Sequence, residues 1–102
     1  MSGRILQINF KFSISPGELA QDFGPLAEPI AAVAGLRWKI WSLNEAEGEF
    51  AGIYLFDDSA SAQAYLEGPI IAEVSKHPAL SDISAKQFGV IDEFSAITRG
   101  PV

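Results

Sequence analysis

Two runs near the middle of the chain, residues 36–43 and 50–56, constrain the fold more than anything else in it. Each reads as a strand, and each is apolar on both faces. In the first, Leu36, Trp38 and Ile40 share one side while Trp41 and Leu43 occupy the other; in the second, Tyr54 and Phe56 oppose Ile53 and Leu55. The polar turn Asn44-Glu45-Ala46-Glu47-Gly48 between them makes an antiparallel hairpin. A sheet with one side open to water alternates apolar and polar residues. This hairpin needs cover on both sides.

The flanking segments supply the rest of the sheet and the cover for one face. Residues 4–13 alternate, with Leu6, Ile8, Phe10 and Phe12 between Gln7, Asn9, Lys11 and Ser13, the period of a strand with one apolar face. Ser15-Pro16-Gly17-Glu18 carries the signs of a helix start: a capping serine, proline at the first helical position, and a glutamate placed to close a capping box. Leu19, Phe23, Leu26, Ile30 and Val33 then form one helical stripe, with a kink or restart expected at Gly24-Pro25 and a stop at Gly35. After the hairpin, Asp57-Asp58-Ser59 begins a second helix that Gly68-Pro69 interrupts and Pro78 ends, and residues 83–91 form the last strand.

The order is strand, helix, strand, strand, helix, strand. Two right-handed crossovers place the first and third strands at the centre and the other two at the edges. The expectation is a ferredoxin-like α+β fold with a four-stranded antiparallel sheet, one domain over residues 1–102, with 92–102 as an irregular tail anchored by Phe94 and Ile97. Two helices cover one face of such a sheet, and an exposed tryptophan among branched aliphatics forfeits several kcal/mol at ~25 cal/mol per Å². Trp41 and Leu43 are expected on the uncovered side. A homodimer, sheet face against sheet face, is the simplest remedy; the competing reading folds the tail back over that surface.

Composition excludes several function classes. Seven basic residues against thirteen acidic ones give a net charge of −6, which repels phosphate backbones and anionic membrane surfaces. There is no cysteine, hence no disulfide and no thiolate metal ligand. The opening residues lack the pattern of a signal peptide, no run reaches the ~20 apolar residues of a membrane span, and a cytoplasmic location is the default.

Sites are sparse. His77 is the one histidine, a weak candidate for acid–base work that more simply closes a helix before Pro78. Asp57 and Asp58 read first as a helix cap. Arg37, Lys39 and Lys86 read as charges that protect edge strands, with anion binding by Arg37 or Lys39 as the alternative. No metal or organic cofactor site is expected. The aromatic residues are the richer signal: Trp38, Trp41, Tyr54, Phe56 and Tyr65 are candidates to line a cavity for a small aromatic ligand, with Tyr54 a weak catalytic candidate, although about half of them would serve as packing alone.

The stretch Gly35-Leu36-Arg37-Trp38-Lys39-Ile40-Trp41, followed by Ala51-Gly52-Ile53-Tyr54-Leu55-Phe56-Asp57, resembles the YdhR family of mono-oxygenase-type proteins. So do Leu6-Gln7-Ile8-Asn9-Phe10, Pro25-Leu26-Ala27-Glu28 and Ala64-Tyr65-Leu66-Glu67, and the likeness spans residues 5–93. It implies a dimeric α+β barrel of two ferredoxin-like subunits, and a cofactor-free oxygenation of a quinol- or phenol-like molecule. The matched Trp38, Trp41, Tyr54 and Tyr65 would line the pocket. Residues 68–81, including His77, lie outside the clear likeness. Haem-degrading relatives carry an asparagine on the first strand, but Asn9 stands here on the polar side. A non-catalytic small-molecule-binding or regulatory dimer on the same scaffold is the rival function.

Overall fold

A computed structural model describes residues 3–102. Strand β1 (Arg4–Phe12) is followed by α1 (Pro16–Phe23), a 3₁₀ turn (Gly24–Leu26) and α2 (Ala27–Ala31). The hairpin β2 (Leu36–Asn44) and β3 (Glu49–Phe56) comes next, then α3 (Ser59–Leu66), α4 (Pro69–Ser75), β4 (Leu80–Gly89) and α5 (Asp92–Ile97). The sheet is antiparallel in the order β2-β3-β1-β4, which is the ferredoxin-like arrangement.

Local chemistry explains the helix boundaries. The Ser15 hydroxyl accepts from the Glu18 amide at 3.1 Å while the Glu18 carboxylate accepts from the Ser15 amide at 3.3 Å, so the capping box is complete. Pro25 and Pro29 break the continuation into a 3₁₀ turn and a short second helix, a restart at the expected Gly24-Pro25 position. Gly35 leaves α2 with φ of +82°, and a side chain there would collide with Ser61. Asp58 accepts from the Ser61 amide at 2.8 Å and caps α3; these hydrogen bonds hold its carboxyl below the usual range.

Leu6, Ile8 and Phe10 from β1 and Tyr54 and Phe56 from β3 meet Leu19, Phe23, Ile30, Ala62, Tyr65 and Val74 from the helices to form the core. Three details differ from the sequence reading. The tail contains a short helix, α5, rather than irregular chain throughout. The last strand runs from Leu80 to Gly89, about three residues earlier than expected at its start, because an irregularity at Asp82 (φ of +50°) lets Leu80 and Ser81 pair with Phe12 and Lys11 beyond it.

The third difference decides the site. Between Leu36 and Trp38 the pairing of β2 with β3 slips by one residue. Leu36 lies opposite Phe56, but Trp38 then lies opposite Leu55, Lys39 opposite Tyr54 and Trp41 opposite Gly52. One extra residue exchanges the faces of everything after it. Trp41 and Leu43 therefore stand on the helix side, and the expected placement on the uncovered side is corrected. Trp38 and Ile40 take the uncovered side together with Ile53 and Leu55.

Candidate functional site

The slip turns Lys39 inward. An edge strand has room for a charged side chain that points to water; this one instead lies under the helices, with its ammonium 3.4 Å from the centre of the Trp41 ring and 4.6 Å from that of Tyr54. Among the described residues no carboxylate comes within ion-pair distance of it. Burial lowers its pKa from 10.5 to about 7, so the free amine and the ammonium coexist at neutral pH.

Next to it the two tyrosine hydroxyls meet at 3.0 Å, one donating to the other. Burial raises the pKa of Tyr54, and the neighbouring Tyr65 raises it further; burial likewise raises Tyr65. Both stay neutral through the ordinary pH range, and the hydroxyl that accepts within the pair keeps its own proton to donate to an anion. Gly52 makes the convergence possible. A side chain there would place its first carbon 2.9 Å from the Lys39 Cε and 3.1 Å from the Tyr54 hydroxyl.

An apolar groove of about 360 Å³ opens beside this cluster, between α1 and the end of β2, with Leu19, Phe23, Trp41, Leu43 and Phe50 among its walls. Behind Phe23, Trp41 and Phe50 a small void of about 20 Å³ leads on to Lys39, Tyr54 and Tyr65. Lys39 also borders a cleft of about 170 Å³ between α2 and the edge of β2. The rings are mutually inclined: Trp41 and Phe50 are 6.1 Å apart at 36°, Phe23 and Phe50 5.9 Å apart at 35°.

The residues expected from sequence divide. Trp41, Tyr54 and Tyr65 gather around Lys39. Phe56 is fully buried, stacked on Tyr54 at 6.0 Å and inclined to Tyr65 at 5.6 Å, and supports those rings from behind. Trp38 stands on the other face of the sheet, where its indole N–H donates to the carbonyl of Pro101 at 2.8 Å. His77 accepts the Ala79 amide at Nδ1 (3.1 Å), which leaves the ring proton on Nε2, 2.9 Å from the Asp22 carboxylate. It braces α1 against the turn after α4. Arg37 pairs with Asp57 at 2.7 Å. Asn9 donates to Glu49 at 3.1 Å on the uncovered face, away from the groove. No group of three or more His, Asp or Glu side chains suited to a metal ion occurs among the described residues.

Residues 5–101 match the family described as "Putative mono-oxygenase ydhR". The chain belongs to the YdhR family. A protein of unknown function from Nitrosomonas europaea, NE2512, is 26% identical, with 89% of this chain and 91% of that one aligned and a TM-score of 0.69. SnoaB, a cofactor-independent oxygenase from Streptomyces nogalater, is 17% identical over 86% and 92% of the two chains (TM-score 0.69). MhuD, a haem degrader from Mycobacterium tuberculosis solved with two haems in its active site, is 22% identical over 85% and 95% (TM-score 0.65). These last two share the fold with this YdhR-family chain. A comparison with curated proteins found no significant match.

Lys39 is the residue that sequence reasoning misassigned. The signal was present: Lys39, Trp41 and Leu43 alternate, so the lysine belongs to the same face as the two large apolar residues that follow it.

Proposed function

We propose that this YdhR-family protein is a cytoplasmic homodimer that oxygenates a small hydroxyarene, quinol- or phenol-like, by direct reaction with molecular oxygen. The observation that carries this reading is the half-buried Lys39 amine, outside any ion pair, between Trp41 and Tyr54 and beside an apolar groove with aromatic walls. The family assignment and a cofactor-independent oxygenase of the same fold support it.

The chemistry follows from the parts. Triplet oxygen reacts slowly with closed-shell organic molecules, and a hydroxyarene becomes a good electron donor once it loses its proton. Lys39 in its free-amine form takes that proton. The resulting ammonium then faces the aryloxide in a site of low polarity, where the attraction is far stronger than in water. The one free O–H of the Tyr54–Tyr65 pair donates to the same oxygen. Oxygen accepts electrons from the aryloxide and adds to ring carbon; loss of water leaves a quinone. A phenol or anthrone plus O₂ yields a quinone plus water, as in the conversion of an anthrone to an anthraquinone, and a quinol plus O₂ yields a hydroxyquinone plus water. Trp41, with Phe23 and Phe50, holds the ring and excludes water, and Phe56 fixes the plane of Tyr54.

The dimer belongs to the same reading. Ile40 is 52% exposed and Phe88 46% exposed on the uncovered face. The tail does return to Trp38, but it adds Phe94 at 63% and Ile97 at 73% exposure to the surface. A second copy across this face removes the surplus.

Oxygen uptake with anthrone and 1,4-dihydroxynaphthalene tests the proposal. Uptake above the uncatalysed rate, lost at least 100-fold in Lys39→Met and reduced in Tyr54→Phe, is the expected result. Saturable binding without uptake would replace it with the non-catalytic binding dimer. Titration with haemin should give no Soret shift; a stable one would favour haem chemistry instead.

A further inference from the structure

Lys39 joins three properties seldom found together: an amine half-buried against two aromatic rings, no acid to pair with among the described residues, and an apolar groove at its back. Most buried lysines in proteins are held by a carboxylate, which keeps the nitrogen protonated and chemically inert. Here the rings flank the nitrogen but give it no proton acceptor. Its lone pair is available whenever the proton leaves, and the tuned amine becomes a nucleophile at neutral pH.

Access and room are also provided. Trp41 stands between Lys39 and the groove, and Lys39 itself borders the cleft of about 170 Å³ between α2 and the edge of β2. The lysine stem crosses the space left open by Gly52. The groove walls Phe23, Trp41 and Phe50 select for a flat, apolar partner.

We infer that Lys39 is a covalent capture site for aromatic aldehydes and ketones, which it binds as imines. The nitrogen lone pair forms the C–N bond as the carbonyl oxygen takes up a proton; that oxygen then leaves as water, carrying both hydrogens of the original amine, and a C=N bond remains. Carbonyl plus amine becomes imine plus water, with no oxidation or reduction. The Tyr54–Tyr65 hydroxyl pair stands where it can relay the proton that departure of the hydroxyl requires. The inference uses the same cavity as the proposed oxygenation but does not need oxygen chemistry to occur.

The test is reductive trapping on the full-length protein. It is incubated at pH 7 with 2-naphthaldehyde and sodium cyanoborohydride, and the modified lysines are mapped by peptide mass spectrometry. Lys39 should be labelled at least tenfold faster than Lys11, Lys76 and Lys86 in the same molecule, and at least as fast as the N-terminal amine. In Lys39→Arg the fast label should vanish while the slow labels persist. Because the lysines compete within one wild-type chain, the result does not depend on whether that variant folds. Labelling of Lys39 no faster than that of the exposed lysines overturns the inference. Fast labelling without oxygen uptake would leave it standing and remove the oxygenase reading; uptake without fast labelling would do the reverse.

Discussion

At the scale of single residues, the free energy of this site is set by one amine and two hydroxyls. Burying Lys39 without a counter-ion costs stability, because the ammonium gives up water and receives ring faces in return. Lys39→Met keeps the length and apolar stem while removing the charge, and should stabilise the fold by about 1–4 kcal/mol in urea denaturation. The same substitution should abolish turnover. A variant more stable and less active than its parent is the sign of a residue kept for chemistry. Tyr65→Phe acts in the opposite direction. It leaves the Tyr54 hydroxyl buried with no partner in place of its 3.0 Å bond, at a cost of about 1–3 kcal/mol measurable in the same experiment.

At the scale of elements, two devices can be separated. The first is local and readable. Ser15, Pro16 and Glu18 announce α1, and Ser15→Ala should cost about 1 kcal/mol, seen as a lower denaturation midpoint with no effect on the groove chemistry. The second is the one-residue slip in β2, which no local pattern announces. Alternation across Trp38, Ile40, Trp41 and Leu43 shows that two faces are occupied, but which face meets the helices depends on the ladder to β3. Hence the aromatic set was recognised as a set, while Trp38 was grouped with residues on the other side of the sheet. Lys39 was read as an edge charge because its neighbours across the strand, Tyr54 and Gly52, are set by pairing. Gly52→Ala tests that pairing: the new methyl should push Lys39 toward solvent and raise its pKa, which a nitrogen chemical-shift titration of the lysine would record as a midpoint well above 7.

At the scale of the whole molecule, the site imposes a pH profile on stability. Lys39 has a folded pKa of about 7 against 10.5 for an ordinary lysine, so between those values the unfolded chain binds more protons than the folded one. Stability contributed by this group therefore rises with pH across that window, and the burial penalty is fully felt below pH 7. Tyr54 and Tyr65 have raised values, so their contribution is intact below pH 10 and is lost above it. Thermal denaturation should place the maximum of these combined contributions near pH 9–10, and Lys39→Met should flatten the rise between pH 7 and 10. The open sheet face gives a second whole-molecule prediction. Ile40→Glu should shift the protein toward monomer in sedimentation without perturbing Trp41, because the two residues lie on opposite faces of β2.

By itself the sequence determined everything that depends on neighbours along the chain: the six principal elements and their order, the capped helix starts, the break at Gly24-Pro25, and the presence of a hairpin too apolar for one layer of helices. These follow from backbone geometry and side-chain periodicity, which act over a few residues. The tertiary structure alone decided the face on which each aromatic residue lies and the burial of Lys39. Both depend on a single unit of register between strands, and register is settled by the pairing energy of two segments acting together.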